Sequence, residues 1–351
     1  MRWSWKIARV AGIDIYMHTT FLLIVVWVGV ANYMAGQSLN AALMGILFLL
    51  ALFLSVVLHE YGHALTARRF GIATRDITLL PIGGVARLER MPEKPIQELW
   101  VALMGPAVNV VIAAVLFVGL LVTGTMQPLS SLSLTDGNFF ERLMVTNLFL
   151  ALFNLLPAFP MDGGRVVRAL LASRMEYTRA TQIAASLGQG IALMLALFGL
   201  FNNPFLLFIA FFVWIGAGQE SDMVQVKSVL AGIPVNRAMI TNFETVAPTD
   251  PLGRAVQLLL AGTQQDFPVT VDGRVVGILT RDDVVRSLAE HNENTLVSFL
   301  MRKEFQTVDS SQMLESTAQI LQPGVQPLLP VVHGGELVGM LTMENLGEFL
   351  M

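Results

Sequence analysis

Residues 41–67 read AALMGILFLLALFLSVVLHEYGHALTA, and how that run is understood decides the architecture. Glu60 is its single formal charge, and 27 residues of helix are more than enough to cross a bilayer core. Near its end stands His59-Glu60-Tyr61-Gly62-His63. Residues four apart share a helix face, so His59 and His63 can offer two imidazoles to one Zn2+, with Glu60 beside the metal as a base. Arg68 and Arg69 follow about 7.5 Å further along the helix, at 1.5 Å per residue. The candidate metal site therefore lies just inside a charged membrane boundary, where hydrolytic chemistry would be enclosed by lipid.

Composition agrees with that placement. The 351 residues are 54% hydrophobic and 14% charged, with mean hydropathy +0.63. A soluble domain carries roughly 25% charged residues, so much of this chain expects lipid as its solvent. Residues 1–222 hold 14 Lys/Arg and 12 Asp/Glu, whereas residues 223–351 hold 8 and 14. The first part is apolar and slightly basic, the second acidic and water-soluble in character, which sets the main boundary near residue 222. No cysteine is present, so disulfides and thiolate ligands are excluded. A zinc held by imidazole and carboxylate alone has the ligand set of catalytic sites. The start, Met-Arg-Trp-Ser-Trp-Lys, shows no small-residue cleavage signature, and no basic run or aromatic platform points to nucleic acid.

Apolar segments near 19–36, 41–67, 97–123, 140–160, 181–201 and 204–218 predict about six spans, the last a short return arm after Asn202-Asn203-Pro204. The positive residues sort consistently. Arg2, Lys6 and Arg9 precede the first span; Arg68, Arg69, Arg75, Arg87, Arg90 and Lys94 follow the second; Arg165, Arg168, Arg174 and Arg179 follow the fourth. The alternate connections carry no Lys or Arg, which orients the N-terminus and the C-terminal domain toward the cytoplasm.

Two histidines leave a tetrahedral zinc incomplete. His18 opens the first span and is interfacial. Asp162 is the better third ligand, in the run Asn154-Leu-Leu-Pro157-Ala-Phe-Pro160-Met161-Asp162-Gly163-Gly164. Two prolines remove backbone donors and disfavour helix before them, and the Gly pair permits unusual backbone shapes. Unwound chain at membrane depth is tolerated only when buried in protein or lining a polar cavity.

With these residues the chain resembles the site-2 protease family of intramembrane zinc metalloproteases. The matching features are His59-Glu60-x-x-His63, Gly105-Pro106-Ala-Val-Asn109 and Asn154-x-x-Pro157 with Asp162-Gly163, led in by Gly12-Ile-Asp-Ile-Tyr-Met-His18-Thr-Thr-Phe21. The likeness spans about residues 10–218, with Met161 where many bacterial members carry Leu. It implies that His59, His63 and Asp162 bind one zinc, that Glu60 activates the water, and that Asn154 and Asn109 orient or polarise the scissile carbonyl. For Asn109 a plain hydrogen bond across helices is an equal reading.

The segment from Asp76 to Arg90 is partly alternating and β-rich around Gly83-Gly84. It predicts a short membrane-edge hairpin whose free edge pairs with an unwound substrate. An ordinary cytoplasmic hairpin is the plainer possibility.

Residues 235–288 realign on 297–350 at a constant offset of 62: Phe267-Pro268-Val269 meets Leu329-Pro330-Val331, and Gly277-Ile-Leu-Thr280 meets Gly339-Met-Leu-Thr342. Two copies of one small α/β unit are expected, over 223–290 and 291–351. They resemble a pair of cystathionine-β-synthase (CBS) domains, which implies adenine nucleotide (ATP, ADP or AMP) in the clefts. By that likeness Thr280 and Asp283 bond phosphate and ribose in the first copy. Thr342 and Asn345 stand there in the second, with Asn345 replacing the acid. A ligand-free dimerisation module is the other reading, and a homodimer is expected either way.

The expected fold is thus a multi-pass α-helical membrane domain over residues 1–222, with a membrane-edge hairpin, joined to a cytoplasmic α/β CBS pair. The expected function is hydrolysis of a peptide bond in or near the transmembrane segment of a single-span membrane protein, in a prokaryotic cytoplasmic membrane. A CBS-gated transporter or channel with an incidental metal motif is the alternative. Glu60 between its histidines and Asp162 after the broken span are features that transport does not require.

Overall fold

A computed structural model describes residues 3–81, 83–89, 92, 94–127, 133, 137–290, 292–317, 320–321 and 326–350. The chain divides into two compact units, Met1–Val224 and Gln225–Met351.

The first unit opens with strands that hydropathy alone does not announce. β1 (Ser4–Val10) and β2 (Ile13–His18) form an antiparallel hairpin through Ala11 and Gly12, both at positive φ. β2 then pairs in parallel with β3 (Thr74–Leu80), and β3 pairs antiparallel with β4 (Gly83–Leu88), giving one sheet in the order β1-β2-β3-β4. The Gly pair expected at the hairpin turn instead starts β4. Its reason is steric: a Cβ on Gly84 would lie 2.9 Å from Glu60 Cγ. Across the hairpin Arg87 donates to both carboxylate oxygens of Asp76, its register partner.

Helices α1 (Thr20–Gly36), α2 (Leu39–Arg69), α3 (Pro95–Thr123), α4 (Phe139–Asn154), α5 (Asp162–Ala172), α6 (Tyr177–Asn202) and α7 (Phe205–Leu230) complete this part of the chain. Among the described residues four helices, α2, α3, α6 and α7, are long and apolar enough to cross a membrane. About six spans are expected from the sequence, so the count differs slightly. α1 and α4, of 17 and 16 residues, fall short of the roughly 20 that a span needs. α4 stops at Asn154 because Pro157 and Pro160 follow. The short return arm expected at 204–218 runs on to Leu230.

One face of the sheet meets α1 and α2. Ile13, Ile15, Ile77 and Leu79 pack with Phe21, Phe53, Val57 and Tyr61 in a buried cluster. Phe21 and Phe53 meet edge to face at 4.5 Å, a favoured aromatic geometry. Tyr61, inside the metal motif, donates its hydroxyl to Val10 O at 3.0 Å and so ties α2 to the hairpin.

The second unit shows the repeat in three dimensions. α8 (Leu252–Ala261), the hairpin β5 (Phe267–Val271) with β6 (Arg274–Leu279), and α9 (Arg281–Glu290) make the first copy. After α10 (Val297–Leu300) come β7 (Val308–Asp309), α11 (Leu314–Thr317), the hairpin β8 (Leu328–His333) with β9 (Glu336–Thr342), and α12 (Met343–Leu350). The hairpins bulge at equivalent places, Val269/Thr270 and Val331/Val332. The segment before each copy pairs with the other copy's hairpin: Ile240 with Met340, and Arg302 with Ile278. Ile278, Leu328 and Met340 are fully or almost fully buried between the copies.

Candidate metal centre

The three expected ligands converge. His59 Nε2 and His63 Nε2 are 3.1 Å apart, and each is 3.2 Å from Asp162 Oδ2. A tetrahedral ion held at about 2.0–2.1 Å by each ligand spaces those ligands about 3.3 Å apart. The triangle fits zinc, and all three residues are buried.

The far ring nitrogens are also committed. His63 Nδ1 lies 2.7 Å from Val101 O, and His59 Nδ1 lies 2.5 Å from Asn109 Oδ1. Both partners are acceptors, so each Nδ1 carries the hydrogen and each Nε2 presents its lone pair to the metal position. A glycine makes the room. A Cβ on Gly105 would stand 2.2 Å from His63 Nε2 and 2.7 Å from His59 Nε2. Gly62 plays the same part from α2, since its Cβ would meet Met104 O at 2.5 Å. The helices therefore approach with backbone against the imidazole pair.

Asp162 is delivered differently from the expectation. The irregular stretch is residues 155–161; Asp162 begins α5, and Gly163 and Gly164 lie in its first turn. They are glycines because the incoming chain is folded tightly against them. A Cβ on Gly163 would sit 2.1 Å from Leu156 O, and one on Gly164 2.6 Å from Phe159 N.

Asn109 is placed as a support for His59. Its Oδ1 accepts from the ring, and its Nδ2 donates to Asn147 Oδ1 at 3.0 Å. This is the hydrogen bond across helices that the sequence allows equally with a part in polarising a carbonyl. Asn147 donates in turn to Ser55 Oγ and to Leu143 O. Asn154 ends α4, half-buried, with Nδ2 donating to Leu150 O at 3.0 Å. Glu60 is half-buried, and its Oε2 accepts from Ala86 N–H of β4 at 3.3 Å. His18 is occupied by Thr20, 2.7 Å away.

By sequence Arg168 is one of the positive residues after the fourth span that orient the chain. It is fully buried instead. Its Nε donates to Glu98 Oε1 at 2.8 Å and its Nη1 to Glu220 Oε1 at 2.5 Å, while Nη2 also reaches Glu98. The guanidinium lies over the rings of Phe159 and Tyr177, at 4.9 and 5.0 Å. α5, which begins with Asp162, is thereby pinned to α3 and α7 six residues further on. The signal was present: an acid in a predicted span, as Glu98 is, calls for a buried partner.

In the second unit Thr280 Oγ1 donates to Asp283 Oδ2 at 2.6 Å, and Arg302 Nε reaches the same oxygen at 2.7 Å. Burial by itself would lift the Asp283 pKa, but the bonds from Arg302 and Thr280 outweigh it and hold the carboxyl below its ordinary range. Here these groups, expected to bond phosphate and ribose, are bonded to one another. At the equivalent place in the second copy, Thr342 Oγ1 accepts from Asn345 N at 3.2 Å.

Residues 47–135 and 132–197 match the model of peptidase family M50, and residues 234–290 and 297–351 each match the CBS domain. Over 347 residues the chain is 31% identical to a zinc metalloprotease of Methanocaldococcus jannaschii, covering 99% of this chain and 96% of that protein. Among solved structures it is similar to a site-2 protease from Methanocaldococcus jannaschii. That likeness has 38% identity and a TM-score of 0.46, and covers 62% of this chain and 95% of that one.

Proposed function

The chain belongs to peptidase family M50, as a zinc metalloprotease of the site-2 type with two CBS domains, and on that premise we propose that it hydrolyses a peptide bond in or near the transmembrane segment of a single-span membrane protein. The observation that carries this reading is the triangle of His59, His63 and Asp162 with Glu60 next in line on the same helix. An incidental motif, as in a transporter, gives no reason for a carboxylate from α5 to meet that imidazole pair.

His59, His63 and Asp162 are the residues that would hold zinc. When bound there, zinc supplies the Lewis acidity that activates a water and polarises a carbonyl. The remaining work falls to the chain. Glu60 takes the proton of the attacking water as its oxygen bonds to the carbonyl carbon. It then passes that proton to the amine nitrogen as the C–N bond breaks. Asn154 orients the carbonyl from the end of α4. Asn109, through His59, holds an imidazole at its working angle.

A peptide inside a helix is shielded, so the substrate must arrive extended. β4 is the terminal strand of its sheet, and its Ala86 N–H reaches Glu60. A substrate strand added along that edge passes beside the base.

We place the N-terminus and the CBS pair on the cytoplasmic side of a prokaryotic membrane, from the distribution of positive residues, and divide the chain near residues 222 and 290. The pair makes a homodimer contact and binds an adenine nucleotide that modulates cleavage. Binding modulates only if it favours one of two states.

Purified Glu60→Gln tests the reading. It should retain zinc at the parent level yet fail to cleave a single-span substrate that the parent cuts in a chelator-sensitive way. Normal turnover by Glu60→Gln would refute the assignment.

A further inference from the structure

The two imidazoles of the metal centre are held by unlike partners. His63 Nδ1 faces Val101 O, a main-chain carbonyl that has no hydrogen and can only accept. His59 Nδ1 faces a side-chain amide, that of Asn109, and an amide presents oxygen or nitrogen by a half-turn about its last bond. Were the Asn109 nitrogen turned toward the ring, Nδ1 would have to accept. The ring hydrogen would then sit on Nε2, the atom that faces Asp162 Oδ2 and the metal position. Asn109 alone does not fix how His59 meets a metal.

The orientation is settled one residue further out, in a chain of bonds that runs a single way. His59 Nδ1 donates to Asn109 Oδ1 at 2.5 Å, and Asn109 Nδ2 donates to Asn147 Oδ1 at 3.0 Å. Asn147 Nδ2 donates to Leu143 O at 2.9 Å and to Ser55 Oγ at 3.2 Å, and Ser55 gives its own hydrogen to Ala51 O at 3.1 Å. Every hydrogen points away from the metal position. The chain ends on two main-chain carbonyls, Leu143 O of α4 and Ala51 O of α2, and neither can reverse. His59, Asn109, Asn147 and Ser55 are 7%, 0%, 0% and 3% exposed, so solvent does not take the place of a lost link. Turning the Asn147 amide over would set its oxygen against Leu143 O. Turning Asn109 over would set its oxygen against Asn147 Oδ1. Either reversal brings two acceptors face to face in a buried place and leaves both unsatisfied.

We propose that Asn147 is a positioning residue of the metal centre: it holds the Asn109 amide one way round, and so keeps the His59 hydrogen on Nδ1 and the Nε2 lone pair toward the ion. This rests on the reading of His59, His63 and Asp162 as zinc ligands and goes beyond it, because Asn147 touches neither ion nor ligand. Leu143 O, the acceptor that fixes the direction, lies one turn earlier on the same helix. Bonds that all point one way also polarise one another, which makes the imidazole at the near end a stronger donor to the metal.

Zinc affinity of the full-length protein in detergent, measured by competition with a chelator, tests the proposal. Asn147→Leu should weaken zinc binding by about tenfold or more, as loss of an outer partner does. Ser55→Ala removes one bond of the same chain but leaves Leu143 O to hold the Asn147 amide, so it should bind zinc as the parent does. In the Asn109→Asp background either oxygen of a carboxylate accepts from His59 Nδ1, and adding Asn147→Leu there should cost no further affinity. Asn147→Val, smaller and equally without polar atoms, takes the place of Asn147→Leu should that variant not fold. Parent affinity in Asn147→Leu, an equal loss in Ser55→Ala, or a loss that persists undiminished in the Asn109→Asp background would each overturn the role of Asn147. Those outcomes leave the zinc reading standing. A parent protein that binds no zinc overturns both.

Discussion

His63 Nε2 and Asp162 Oδ2 stand 3.2 Å apart although 99 residues separate them in the chain. The pair joins the end of the longest helix to the first residue of α5, and the metal position exists only while that contact is held. Asp162→Asn should therefore leave the protein folded but poor in zinc after purification. Metal analysis beside circular dichroism checks this, and parent-level zinc would require another third ligand.

Gly105→Ala should be far more damaging than its size suggests. The added carbon would fall 2.2 Å from His63 Nε2, in the space the ion needs. Gly119→Ala on the same helix meets nothing within 4 Å and is the control. Zinc content and cleavage should collapse in the first and match the parent in the second.

Asn109→Leu removes the acceptor that fixes His59 and leaves Asn147 without its donor. Loss of such an outer partner usually costs about 10–100-fold in metal affinity or activity. Competition with a chelator should show weaker zinc binding, with kcat falling less once zinc is saturating. A drop in kcat alone would restore Asn109 to contact with the substrate.

Ala86→Pro deletes the N–H that β4 presents toward Glu60. Cleavage should slow markedly with zinc content unchanged. Unaltered cleavage would count against strand pairing at this edge.

Arg168→Met strands Glu98 and Glu220 without their cation. Removing one partner from a buried ion cluster costs about 3–5 kcal/mol. Thermal stability should fall, and adding Glu98→Gln with Glu220→Gln should recover much of it. Equal losses in the single and triple variants would show that packing on Phe159 and Tyr177 matters more than charge.

The acid limb of stability carries a further signature. Asp283 has a lowered pKa in the folded chain, so its contribution is complete above the ordinary carboxylate range and disappears as pH falls through the lowered value. Arg302→Ala should move acid unfolding of the second unit to higher pH, followed by near-ultraviolet dichroism of the full chain.

The metal triad was legible because its signals are local: four-residue spacing in one helix, and an acid next to two glycines after paired prolines. The repeat was legible because 62 recurs without a gap. What escaped depends on distant pairing. Nothing near Ser4–His18 announces that β2 will lie parallel to β3, some sixty residues later, because a parallel pair needs no turn signature between its strands. Arg168 looked like a membrane-boundary charge because hydropathy weighs a residue without its partners. Likewise nothing in the Thr280–Asp283 motif announces Arg302, which lies outside it and reaches both.

The order in which the ligands leave the ribosome has its own implication. Synthesis at about 5–20 residues per second puts Asp162 about 5–20 s behind the histidine pair. Throughout that interval only two of the three ligands are on hand, a set too small to retain zinc firmly. Metal loading must then follow the docking of α5, so the nascent enzyme stays inert until its helices are assembled in the bilayer.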